Sequence, residues 1–153
     1  MAPPEPKKGL VIQYEYEWNG AQKSRPCLIV YVAKTHGEAL VRVYVLPITS
    51  AQEADEEATA LEIPANICRA LGLPKRSWLR TDHRNDFQWP FDVKDVPSGP
   101  KKGKSSYGFM PAGFYRSAIR RLARNLDGSQ HTAVRREDTD LSDPKLRKGK
   151  RPT

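Results

Sequence analysis

Leu10, Ile12, Tyr14, Tyr16 and Trp18 alternate with Val11, Gln13, Glu15 and Glu17. A period of two is that of an extended strand, because a helix cannot gather residues so spaced onto one face. Asn19-Gly20 then offers a turn, and an apolar run from Pro26 to Ala33 follows. The polar stretch up to Ser24 is short, so the two segments are predicted to pair as a hairpin. Thr35-His36-Gly37-Glu38 makes another turn, and a third strand is expected from Ala39 to Pro47. Its nearly continuous Leu40, Val41, Val43, Tyr44, Val45 and Leu46 imply cover on both faces.

An acidic loop with Glu53, Asp55, Glu56 and Glu57 leads to a fourth strand over Thr59–Ile63. Pro64 opens a short helix with Ile67 and Leu71 on one face and Gly72 as its C-cap. Ser77–Thr81 reads as a fifth strand, and residues 92–106 as a flexible loop rich in Lys, Pro, Gly and Ser. From Pro111, Phe114, Ala118, Ile119, Leu122, Ala123 and Leu126 recur at helical spacing. Arg116, Arg120, Arg121 and Arg124 take the other face, and Asp127-Gly128 ends the helix. This is a mainly β (α+β) pattern. It predicts a small, strongly bent antiparallel sheet or partial barrel of about five to seven strands, with the last helix over one opening. Residues 1–8 read as a flexible Pro-rich arm, 9–127 as one domain, and 128–153 as a disordered basic tail.

The net charge of +8 favours a polyanionic partner. Cys27 and Cys68 sit in separate apolar settings, and His36, His83 and His131 lie far apart, so neither a disulfide framework nor a zinc pattern is present. No metal or cofactor is expected. No run approaches the ~20 apolar residues of a membrane span, and no signal-peptide core opens the chain. A cytoplasmic protein with no membrane association is the expectation. Within the domain, Arg25 stands immediately before Pro26, and Thr49 and Ser50 follow the third apolar run. A guanidinium and hydroxyls held at strand ends are suited to gripping a phosphate.

Taken in order, Gly9-Leu10-Val11-Ile12, Arg25-Pro26, Pro47-Ile48-Thr49-Ser50, Ser77-Trp78-Leu79 and the closing amphipathic helix resemble the PemK/MazF family of toxins over residues 9–126. The resemblance implies an SH3-like barrel acting as a homodimer. It also implies a metal-independent endoribonuclease that halts growth and is blocked by a cognate antitoxin. By the family's pattern, Arg25 matches its catalytic Arg and Thr49 its Thr after the third strand. The chain departs from compact members in residues 80–90, in the basic loop and in the tail.

Metal-free cleavage of single-stranded RNA uses the substrate's own 2′-OH as nucleophile on the scissile phosphate. The protein must help move protons and stabilise charge on the phosphoryl oxygens. Arg25 suits the cationic role, with Thr49 and then Ser50 as hydroxyl donors. Asp82 and His83 are the local candidates for proton transfer. Trp18, beside the Asn19-Gly20 turn, is the candidate for stacking on a base. Lys23, Ser24, Arg80, Lys101 and Lys102 are the remaining candidate substrate contacts. Two alternatives stay open. One is a non-catalytic nucleic-acid-binding module that uses the arginine face of the last helix. The other is a gyrase poison of the same fold superfamily.

Overall fold

The computed structural model describes residues 3–34, 40–50, 59–128 and 131–136. The acidic loop at 53–57, the turn at 35–38 and residues 137–153 lie outside the described residues.

The alternating segment is strand β1, Leu10–Trp18, and it pairs antiparallel with β2, Ala21–Lys34. Asn19 and Gly20 both have positive φ, 53° and 79°. That is the conformation a two-residue loop needs to match strand twist, and Asn-Gly is the dipeptide that tolerates it. Because the turn is so tight, β2 begins at Ala21, well before Pro26. Lys23, Ser24 and Arg25 are therefore strand residues, with Arg25 opposite Tyr14.

Strand β3, Val41–Thr49, pairs with the far part of β2, with a bulge between Ile29 and Tyr31. On its other edge β3 serves two partners. Arg42–Val45 pair with β6, His83–Gln88, whereas Ile48 and Thr49 pair with β5, Trp78–Arg80. The sheet forks there and curls. Strand β4, Ala60–Glu62, extends the β5 branch, and the helix α1, Ala65–Leu71, follows it. Gly72 caps α1 at φ 77°, as its position in the sequence predicts. The short strands β7, Val93–Lys94, and β8, Gly108–Phe109, flank β1. Helix α2, Ala112–Asp127, precedes β9, Thr132–Arg135, which adds to β6 in parallel. Among the described residues the result is a mainly β, curled half-barrel with two helices, and one parallel pair in an otherwise antiparallel sheet.

The middle parts of β1, β2 and β3 are buried on both faces, which explains their apolar density there. Val11, Leu28, Val30, Leu46 and Ile48 join Leu71, Leu79, Tyr107 and Ala118 in one cluster under the two helices. Ile12, Tyr14, Tyr16, Cys27, Ile29, Val43, Val45 and Phe87 form the other. Neighbours along each strand fall alternately into the two, as strand pleating requires.

Three segments differ from the sequence expectation. Strand β3 runs through Thr49 rather than stopping at Pro47, because Ile48 and Thr49 find ladder partners in β5. The basic loop is tied down: the Gly103 N–H donates to Val96 O at 2.8 Å, and Val96 is buried. Lys101 Nζ donates to Ala70 O at 3.0 Å and also to Tyr107 O. The tail contributes β9 and then Arg136, which is 1% exposed. Arg136 donates to the Tyr14 hydroxyl at 2.9 Å, Glu15 O at 2.8 Å and Asp92 Oδ2 at 2.8 Å. The segment is anchored by ionic contacts, so a search for apolar residues misses it.

Candidate functional site

The β2–β3 ladder ends at Cys27↔Pro47. Continued by two residues, the same register sets Arg25 beside Thr49. Both line an open cleft of about 340 Å³, along with Lys23, Ser24 and Ser50. Thr49 is buried because β5 covers it, and Arg25 is half-buried. Arg25 Nε and Thr49 Oγ1 are screened from solvent and have no hydrogen-bond partner among the described residues. A buried polar group left unpaired costs about 1–3 kcal/mol. Lys75 adds a third cation to the lining, and no carboxylate or histidine is among the described lining residues. The charged groups among the described lining residues are thus all cationic.

The other expected site residues fall into two groups. Trp18, Arg80, Asp82 and His83 gather at the tip of the first hairpin, next to Arg25 but outside the cleft lining. The Arg25 guanidinium carbon lies 5.9 Å from the Trp18 ring, and that of Arg80 lies 5.5 Å from it. The indole stacks on His83 at 4.6 Å, so a partner within the protein already engages it. Arg80 grips Asp82 with two bonds, of 3.0 and 2.7 Å, which commits both charges to each other. Lys101 is spent on carbonyls of α1 and Tyr107, and Lys102 is exposed and not among the cleft lining.

His83 differs most from a group suited to proton transfer. It is 4% exposed, and its Nδ1 lies 2.6 Å from the Tyr16 hydroxyl. Burial is the main force lowering its pKa to about 4. Burial raises that of Tyr16, so the phenol keeps its proton, and its hydroxyl and Nδ1 share one hydrogen bond. His83 is neutral at pH 7 and acts in packing. This has a measurable consequence. The unfolded imidazole takes up a proton near pH 6.5, whereas the folded one resists until about pH 4. Between those values the unfolded chain holds more protons, so stability falls as pH falls. The expected loss is about 2 kcal/mol between pH 7.5 and pH 5, readable by urea denaturation at the two values. His83→Gln should flatten the slope, and an unchanged slope would refute this assignment. His131, likewise lowered chiefly by burial, adds in the same direction.

Sequence reasoning missed Gln13 and Tyr107, which form the cleft's inner wall. Gln13 Nε2 donates to Ser24 Oγ at 2.8 Å, and the Tyr107 hydroxyl donates to Gln13 Oε1 at 2.6 Å. The available signal was a buried-face position of β1 that carries an amide. Among the described residues, no group of His, Cys, Asp and Glu is arranged to hold a metal ion, and no helix is long and apolar enough to cross a membrane.

No protein-family model matches the sequence, and no curated protein matches it. Among solved structures, the chain is similar to that of MazE–MazF (Form-III) from Deinococcus radiodurans, at 17% sequence identity and a TM-score of 0.53. The match covers 80% of this chain and 96% of the other. At that identity the likeness is one of fold, and it agrees with the curled half-barrel described above.

Proposed function

We propose that the protein is a toxin-type endoribonuclease that cuts single-stranded RNA without a metal. The observation that carries this reading is the pairing of Arg25 and Thr49 across neighbouring strands, with unpartnered polar atoms at one cationic cleft. In the proposed reaction the 2′-oxygen attacks the adjacent phosphorus and the bond to the 5′-oxygen breaks. The products are a 2′,3′-cyclic phosphate and a free 5′-hydroxyl. Arg25 holds the non-bridging oxygens as their charge grows, and Thr49 donates one further hydrogen bond. Lys23 and Lys75 draw the flanking phosphates in. A cognate antitoxin with an acidic segment would occupy the same cations and block the cleft. A homodimer acting in the cytoplasm completes this reading.

With no carboxylate or histidine among the described lining residues, the protons exchange with water. Cleavage is then expected to rise steadily from about pH 6 to pH 9, without the bell shape of a paired acid and base. A single 2′-deoxy nucleotide at the cut should abolish it. A bell-shaped profile that His83→Gln removes, or cleavage of the deoxy substrate, would defeat the mechanism. The same lack of a proton carrier favours one second reading, a module that binds nucleic acid without cutting it. Arg116, Arg120 and Arg124, all exposed on α2, would serve it. Salt-sensitive RNA binding with no scission would decide for that module.

A further inference from the structure

The inner wall of the cleft carries a directed chain of hydrogen bonds. Gln13 and Tyr107 are each 4% exposed. Gln13 Oε1 can only accept, so the 2.6 Å contact fixes Tyr107 as the donor. That fixes the amide, which turns its N–H toward Ser24 Oγ at 2.8 Å. The serine oxygen thereby has one lone pair taken, which leaves its proton and its second lone pair to face outward. Tyr107 is itself held on both sides. Its N–H donates to Val11 O at 2.9 Å, and its carbonyl accepts from Lys101 Nζ. Burial pushes its pKa up to about 12, which keeps the phenol a donor at any working pH.

Ser24 and Pro26 share the face of β2 that carries Leu28 and Val30, whereas Arg25 shares that of Cys27. The serine therefore points away from the phosphate grip of Arg25. Around it the cleft is walled by Pro26, Ile48, Leu73, Pro74 and Pro97. Flat apolar walls with a few fixed polar groups are what an unpaired nucleobase requires.

We infer that this half of the cleft is a base-reading subsite, in which the Tyr107–Gln13 relay takes one lone pair of Ser24 and so orients its hydroxyl toward a base edge. The inference rests on the proposed action on RNA and deepens it by naming a specificity determinant. Ser24 touches the base, and Gln13 and Tyr107 are positioning residues acting through it. A hydroxyl with one lone pair occupied offers its proton and its remaining lone pair in set directions, and so rewards the bases whose edge meets them. A serine without that bond would rotate to suit more edges.

The test uses the full chain and a single-stranded RNA pool randomised at every position, with cut products and protein-bound RNA sequenced in parallel. Wild type should favour particular bases at one position relative to the cut. Ser24→Ala should reduce that preference by about 3–10-fold, the worth of one hydrogen bond. Tyr107→Phe, which removes only the relay's first donor, should weaken the preference at the same position while the melting temperature confirms folding. An unchanged preference in Ser24→Ala, or a uniform slowing at every sequence, would overturn the inference. The uniform result would identify a phosphate contact instead. If nothing is cut but the bound pool shows a preference that Ser24→Ala erases, the nuclease reading fails and the subsite stands. If the pool is neither cut nor enriched, both fall.

Discussion

Arg25→Ala is expected to slow RNA cleavage by about 10²–10³-fold under single-turnover conditions, the usual result of removing one preorganised donor to developing charge. The fold should survive. Arg25 Nε has no partner among the described residues, and the contact of its guanidinium with Trp18 is of a kind worth about 0.5–1 kcal/mol at an exposed site. Arg25→Lys should recover little, because an ammonium keeps the charge but loses the planar fork that binds two oxygens. Rates measured beside melting temperatures separate loss of chemistry from loss of fold. An Arg25→Ala protein within threefold of wild type would remove the proposed phosphate grip.

Arg136→Ala should be the most damaging single change to stability, at about 3–5 kcal/mol, the cost of stripping a buried charge from its partners. The guanidinium joins three groups on β1 and one in the turn before β7. It reaches the Tyr14 hydroxyl, Glu15 O and Asp92, and Glu17 Oε1 lies 3.4 Å from its Nε. Removing it leaves Asp92 and Glu17, both partly screened, without that cation. Arg136→Met preserves most of the volume and should fail almost as badly, which assigns the loss to charge rather than to packing. Chemical denaturation measures both, and a loss under about 1 kcal/mol would show that the C-terminal segment is dispensable.

The sequence made the central hairpin legible, because apolar alternation and Asn-Gly each specify their geometry locally. The two helices were legible for the same reason: spacing and caps are short-range signals. Arg25 and Thr49 could be nominated from their places at the ends of apolar runs, and the family resemblance matched both to its pattern. Their proximity depends on the β2–β3 register and on β5 holding the end of β3, and neither is local. Asp82 and His83 looked reactive because charge and a titratable ring stood side by side. Their partners, Arg80 and Tyr16, decide otherwise: one fixes the carboxylate, and the other occupies the imidazole in a dry setting. Lys101 read as a loop cation for the same reason, although its ammonium serves two backbone carbonyls. The tail's β9 and Arg136 were illegible because a parallel ladder and an ionic anchor leave no hydrophobic period.

The measurement that bears most directly on the central claim is incubation of purified wild-type protein with a long single-stranded RNA in excess EDTA, followed by mapping of both new ends. The account predicts discrete cuts that leave a 2′,3′-cyclic phosphate on one side and a 5′-hydroxyl on the other. Intact RNA after incubation with a folded protein, or cuts that leave a 5′-phosphate, would contradict it.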